Sequence, residues 1–428
     1  MRLRLPLWAI PLVYAIASLV LALVFPRFEY EHLAAYDRGM AVSSAQAFLS
    51  AVASGMMSLT AIVFSIAFLV VQFSASAFSK RLVLLFGQDP ILFNSLGMFF
   101  ATFIYALAEL FFVDRNGSGK VPYFSTFVVA ALLAFSVILL ALLVHRMSQL
   151  QITSVLRVVG NKGRQVILET YGLLTAGESR ADIKALRDQA AKICSGAPLQ
   201  TLRYAGAPRS VASFDIAGFV RLAEGADAVI VSACAVGDTV PDGALLLRVF
   251  GASSRIPDAA LLRALHLAWN RTFEQDPKYS LRLLVDTAIM ALSPAVNDPT
   301  TAVQAMDQIE DLLHRLGDSN LDVGYVTDAK GALRFVFPMP TWGDYLSLGF
   351  DEIRMFGGDS LQVQRRLHAA LNDLIGGLAN ADRADAVRNY LANLDDELAH
   401  SKLDAYNRAI AGQSDRQGLG VSRDALRH

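Results

Sequence analysis

The sequence predicts a membrane α-helical domain of four transmembrane helices followed by a soluble α+β region. Three observations predict it. Apolar residues make up 54% of the 428 residues, and the mean hydropathy is +0.40, which is high for a soluble chain. The excess is local, since nearly all long uncharged runs lie before residue 147. Behind that point the charge density is that of ordinary soluble protein, over about two domain lengths. The net charge is −1, with no basic excess to suit a nucleic acid. Cys194 and Cys234 both fall in the soluble part; two cysteines so placed make no disulfide scaffold and fit a reducing compartment.

Four runs, Leu7–Phe25, Phe48–Phe73, Ile91–Val113 and Tyr123–Val144, can each cross a hydrocarbon core, which takes about 20 residues. In lipid they must be helical, because every backbone polar group needs a partner inside the segment. The first resembles a secretion signal but ends Val24-Phe25-Pro26-Arg27, without a small-x-small cleavage site, and reads as a retained helix. Arg2 and Arg4 precede the first run, Lys80 and Arg81 follow the second, and Arg146, Arg157, Lys162 and Arg164 follow the fourth. The opposite loops carry Glu29, Glu31, Asp37 and Asp114. This bias predicts an N-in/C-in membrane domain at 1–146 with the soluble region in the cytoplasm.

Taken in steps of four and three, the second run reads Ser54, Ser58, Ala61, Ser65, Phe68, Gln72, Ala75 and Ser79. One face is small or polar, while Ile62, Val63, Ile66, Leu69 and Val70 lie elsewhere. Two readings compete. Small residues let helices approach closely, with hydroxyls bonding across the seam. Alternatively the face lines a pore in an oligomer, with Phe68 as a hydrophobic constriction and Gln72 as a polar ring. A glutamine in lipid is costly without a partner or water, which keeps the pore open as a reading. In the third run Glu109 is an intramembrane acid, with Tyr105 one turn before it. Such a group is a functional candidate by default, unless it reaches the headgroups beside Asp114 and Arg115. His145 and Arg146 read as interfacial anchors.

The soluble part divides into a helical linker region at 147–198, a small β-rich module at 199–256, a mainly helical part at 257–411 and a disordered tail at 412–428. Strands are expected at Val211–Leu222, Ala228–Cys234 and Leu246–Phe250, around the Gly237-Asp238 and Pro241-Asp242-Gly243 turns. The unit looks like half of a lipoyl- or biotinyl-type barrel. No lysine lies between Lys192 and Lys278 to carry a prosthetic group, so neither a carrier role nor a cofactor is expected. Ala259–Phe273 and Tyr279–Leu292 read as amphipathic helices. Then Asn297 or Asp298 caps a further helix, Pro299 takes its first position and Thr300 and Thr301 fill its first turn. Such an end receives either an anion or a nearby carboxylate. A β pair at Val323–Thr327 and Leu333–Phe337 and helices at Trp342–Phe356, Leu361–Leu378 and Ala384–His400 follow.

Three stretches carry a resemblance. They are Ser58 to Ser65 with Gln72 to Leu82; Arg271-Thr272 with Gln275-Asp276; and Asp286-Thr287-Ala288 with Ala291-Leu292-Ser293-Pro294-Ala295-Val296-Asn297-Asp298-Pro299-Thr300-Thr301-Ala302. In these the chain resembles the bacterial membrane proteins grouped as domain of unknown function 2254, from its first helix to about residue 400. Ala295 stands where that family usually has glycine, and Thr300 where it has phenylalanine; the latter changes the polarity at the helix cap. The resemblance implies a four-helix membrane part and a cytoplasmic domain, and it implies no reaction.

No P-loop, His-Glu-x-x-His or Gly-x-Ser-x-Gly pattern is present, and the seven histidines are scattered without metal-ligand spacing. Neither an enzyme nor a metal site is expected. The remaining candidate ligand site is the polar set Arg271, Asp276, Asp286, Asn297, Asp298 and Thr301, provided the fold gathers it. The reading the sequence favours is an oligomeric inner-membrane channel or ion-conducting protein, lined by its second helix and assembled through its cytoplasmic domain. Its partners would be the bilayer, further copies of the chain and inorganic ions. The competing reading is a non-conducting membrane scaffold or sensor that binds a ligand or partner through the cytoplasmic domain.

Overall fold

The computed structural model describes residues 9–32, 40–77, 90–114, 120–148, 152–172 and 180–420. The chain falls into two compact units, Met1–Gln151 and Ile152–His428.

The first unit consists of α1 (Ala9–His32), α2 (Val42–Ala77), α3 (Pro90–Leu110) and α4 (Tyr123–Ser148). Each holds a stretch long and apolar enough to cross a membrane: Ala9–His32, Val42–Ile66, Ile91–Leu110 and Tyr123–His145. α1 continues past Phe25 and Pro26, where the sequence predicts an exit from the membrane. Its extra turns bury Glu29 and bring the Tyr30 hydroxyl to the Phe112 carbonyl at 2.9 Å. Those contacts offset the single backbone bond that a proline removes. α3 is the centre of the bundle, packing against α1, α2 and α4. At Gly97 the Tyr14 ring lies 2.9 Å from where a Cβ would stand, so only glycine admits α1 there. Ser18 donates to the Ala101 carbonyl at 2.6 Å, and Thr102 and Ser136 share a bond of 3.0 Å. Lipid offers no hydrophobic drive for helix association, so close packing and such bonds hold the bundle. Leu12, Ile16, Val20, Phe127 and Ile138 face outward.

The second unit opens with α5 (Ile152–Gly172) and α6 (Arg180–Cys194). Strands β1 (Gln200–Arg203), β3 (Val229–Ser232), β5 (Leu245–Phe250), β7 (Tyr325–Thr327) and β8 (Leu333–Val336) form a sheet ordered β1-β5-β3-β8-β7. Only β3 and β8 run parallel in it. A smaller antiparallel sheet has the order β4 (Thr239–Val240), β2 (Arg209–Phe214), β6 (Leu265–Ala268). The expected module at 199–256 is therefore completed by strands from far along the chain.

Two expected elements differ. Val211–Leu222 is not one strand: β2 ends at Phe214, and Asp215 accepts from the Gly218 amide at 2.9 Å to cap α7 (Ile216–Gly225). α7 sets Phe219 flat on Phe335, with ring centroids 4.4 Å apart. Ala259–Phe273 is not one helix: α8 (Asp258–Ala264) gives way to β6, whose Leu265 pairs with Phe214. A short apolar run serves either period, and tertiary pairing decides between them.

A helical layer follows: α9 (Pro277–Ala291), α10 (Pro299–Asp318), α11 (Trp342–Phe356), α12 (Leu361–Gly377), α13 (Ala381–Ala399) and α14 (Ala405–Ala411). α5 belongs to it, packing on α9 and α10. At Gly163 a Cβ would stand 2.7 Å from Leu312 and 3.0 Å from Ser280, so glycine allows this approach. Of the tail expected to be disordered at 412–428, residues 412–420 are held by Arg416, which pairs with Asp373 at 2.5 and 2.7 Å; residues 421–428 lie outside the described residues.

Candidate functional site

On α2 the small face points away from its own bundle. Ser54, Ser58, Ala61, Ser65 and Phe68 are exposed, while Leu49, Val52, Met56, Thr60 and Val63 are buried against neighbouring helices. Ala61 and Val63 are about 200° apart around a helix of 3.6 residues per turn, so the small stripe lies opposite the packed one. Ser54, Ser58 and Ser65 donate to the carbonyls of Ser50, Ser54 and Ala61, four residues back, at 2.8, 3.0 and 2.8 Å. Each hydroxyl is thus satisfied by its own helix. Ser79 and the side chains of Gln72 and Ala75 lie outside the described residues, as do Arg2, Arg4, Lys80 and Arg81.

The polar set of the second unit is not gathered into one site. α9 has 15 residues, about 22 Å at roughly 1.5 Å per residue, which sets Asp276 and Asp298 at opposite ends of it. Each acid has a local task. Arg271 grips Asp276 with two bonds, of 2.5 and 3.0 Å, and Asp276 also accepts from the Tyr279 amide at 3.2 Å, capping α9. Gly237, at φ +90°, presses on this pair: a Cβ there would stand 2.6 Å from Asp276 Oδ2. Gln275 exchanges two 3.0 Å bonds with the Phe214 backbone, extending the edge of β2. The Arg271–Asp276 segment is therefore a strut joining β2, the Gly237 turn and α9.

Asp286 accepts from Arg282 at 2.6 Å, and Arg282 also grips Glu352 on α11. The bond from Arg282 holds the Glu352 carboxyl below the usual carboxylate range. Asn297 adopts a left-handed turn at φ +47° that ends the preceding segment. Asp298 then caps α10, taking the Thr301 amide at 3.1 Å and its hydroxyl at 2.6 Å. Both carboxylate oxygens are used within the cap, so the motif that looks most like a binding site in the sequence is a helix start.

The structure decides between the two readings of Glu109 and adds two features, the place of Glu29 and a cavity, that the sequence does not announce. Glu109 has 0% exposure and takes a bond from the Thr126 hydroxyl at 2.7 Å, so it faces the bundle interior and not the headgroups. Glu29, which reads as a loop acid, is buried beside it on α1. In the second unit a cavity of about 500 Å³ is lined by Ile216, Val220, Val236, Val326, Phe337 and Thr170 among others. The Thr170 hydroxyl is buried without a hydrogen-bond partner among the described residues.

Four apolar helices followed by a helical and small-sheet region define a polytopic membrane protein. The chain belongs to the family described as predicted membrane protein, domain of unknown function 2254, whose profile matches residues 4–373. An uncharacterised protein of Mycobacterium tuberculosis (strain CDC 1551 / Oshkosh) is 29% identical over 386 residues, covering 87% of this chain and 70% of its own length. An uncharacterised protein of Mycobacterium bovis is 28% identical over the same shares. No solved structure matches.

Proposed function

We propose that the protein is a subunit of a homo-oligomeric ion channel in the bacterial inner membrane, with the small face of α2 turned toward the oligomer axis. One observation carries the reading: Ser54, Ser58, Ala61 and Ser65 are exposed opposite the buried face of α2, where no helix among the described residues covers them. Small faces are how membrane helices meet, and several copies meeting around an axis leave serine hydroxyls along a path. Phe68, exposed on the same face, supplies an apolar ring that closes the path by dewetting. Four spans return the chain to its starting side, and the basic flanks assign that side to the cytoplasm, with the second unit there as the assembly and regulatory part. No reaction is assigned, because Asp276, Asp286 and Asp298, the acids the sequence singles out, serve helix caps and arginine pairs. Purified protein reconstituted in planar bilayers should conduct, and Phe68→Ser should raise its open probability. Silent bilayers for both proteins, with insertion verified, would sink the channel.

A second reading has its own observations. The α2 hydroxyls are satisfied without water, as a packing seam requires, and the cavity beside Thr170 has the size of a small-ligand site. On that reading the protein is a non-conducting sensor for a ligand with an apolar body and one hydrogen-bonding group. Binding of an apolar fluorophore that Val220→Trp abolishes, together with silent bilayers, would favour it.

A further inference from the structure

The ends of α1, α3 and α4 meet in a buried polar nest that the conduction path does not use. Glu29 on α1 accepts from the Phe124 and Ser125 amides, at 2.7 and 2.9 Å. These are free N–H groups of the first turn of α4, where a negative charge is favoured. The next residue, Thr126, donates its hydroxyl to Glu109 Oε1, and Ser125 shares a 3.0 Å bond with the Tyr105 hydroxyl. Three consecutive residues of α4 thus hold two acids from two other helices. Both acids are buried, Glu29 at 5% exposure and Glu109 at 0%.

Glu109 carries a second, independent observation. Its Oε2 is buried and has no hydrogen-bond partner among the described residues. A carboxylate oxygen without a donor is costly in a protein interior and more so at membrane depth. Among the described residues, the titratable groups facing Glu109 are Glu29 from α1 and Tyr105 on its own helix. α4 brings the hydroxyls of Ser125 and Thr126, and α2 contains no titratable residue. The nest is therefore a wall of oxygen ligands around one carboxylate oxygen that lacks a donor among the described residues, a setting that a proton or a hard monovalent cation satisfies.

We propose that Glu109 anchors a buried cation site, filled by a proton or by a hard monovalent ion such as Na⁺, with Glu29, Tyr105, Ser125 and Thr126 as its oxygen wall. The site stands apart from the α2 face and does not rest on the channel reading; it makes the membrane domain responsive to pH or to sodium whether or not it conducts.

The test uses the full-length protein in detergent and dicyclohexylcarbodiimide, which enters apolar surroundings and modifies protonated carboxyl groups. Modification of Glu109 is read by peptide mass spectrometry across pH, in sodium or choline chloride. A proton site predicts modification that falls several-fold as pH rises and ignores sodium. A sodium site predicts modification that sodium suppresses several-fold at fixed pH. In parallel, melting temperature is followed against pH and sodium for wild type and Glu109→Gln, which should lose the response. If that variant does not accumulate, Thr126→Ala replaces it and should show an altered response. The proposal is overturned if Glu109 modification is absent or unchanged by pH and sodium, while wild type and variant melt with the same dependence on both.

Discussion

Replacing Asp276 with alanine should destabilise the second unit by about 3–4 kcal/mol. The side chain of Asp276 is 1% exposed and that of Arg271 is 26% exposed. Removing one partner of a buried ion pair costs about 3–5 kcal/mol, because the other charge stays buried. Arg271 keeps about a quarter of its surface in water and can rehydrate, which brings that part down to roughly 2–3 kcal/mol. Loss of the cap bond to the Tyr279 amide adds about 1 kcal/mol. The same geometry predicts a coupling. Gly237→Ala forces a side chain onto a φ of +90° and against Asp276 Oδ2. In the Asp276→Ala background the carboxylate is gone and Arg271, whose Nε stands 2.8 Å from the same Cβ position, loses the partner that holds it there, so the pair of substitutions should cost less than the sum of the singles by about 1 kcal/mol. Pulse proteolysis of the full chain across a urea series reads all four proteins. An Asp276→Ala cost below about 1 kcal/mol, or strict additivity with Gly237→Ala, would refute the strut.

Other outcomes follow from the same side chains. Glu352 is held below the usual carboxylate range by its bond from Arg282. The stability it contributes is therefore present above its unfolded value of about 4.3 and is lost as pH falls through the lower folded value; Glu352→Gln should flatten that acid limb in urea titrations. Thr170→Val removes a buried hydroxyl without a partner among the described residues, and should be neutral or stabilise by up to about 1 kcal/mol, measured as a shift in urea midpoint. Arg366 is 4% exposed between Asp307, itself 49% exposed, and Glu310, 16% exposed; Asp307 can rehydrate, so Arg366→Met should cost about 2–3 kcal/mol at neutral pH, read from the urea midpoint. Burial already lifts both of those carboxyls above their usual values, and the penalty should shrink in acid as they take up protons.

The membrane helices are legible because lipid leaves the chain few options: a long uncharged run must be a helix. The start of α10 is legible for a local reason. Asp298 and Pro299 fit a cap and first turn without help from the rest of the fold. What the sequence conceals depends on distant partners. The pairing of β3 with β8 joins Ile230 to Phe335, and nothing near Ile230 announces it. The break between β2 and α7 depends on Asp215 and on Phe335 receiving Phe219. Glu29 reads as a loop acid because it follows Pro26 and Arg27, yet two amides of α4 draw it into the bundle. Asp276, Asp286 and Asp298 look like one polar cluster because they are close in sequence, and α9 holds the first and last apart. Gly237 reads as a turn glycine; that it also makes room for an ion pair shows only once Arg271 and Asp276 are in place.

The most direct measurement is single-cysteine accessibility along residues 54–68 in native membranes, with a small charged thiol reagent and with Cys194 and Cys234 replaced. A water-filled path along the outward face of α2 predicts modification at Ser54, Ser58 and Ser65, protection at Met56 and Val63 inside the bundle, and protection at Ile62 beside the stripe. Protection of Ser54, Ser58 and Ser65 to the level of Ile62, in the wild-type background and with Phe68→Ser alike, would contradict it and leave that face to lipid or to a dry seam.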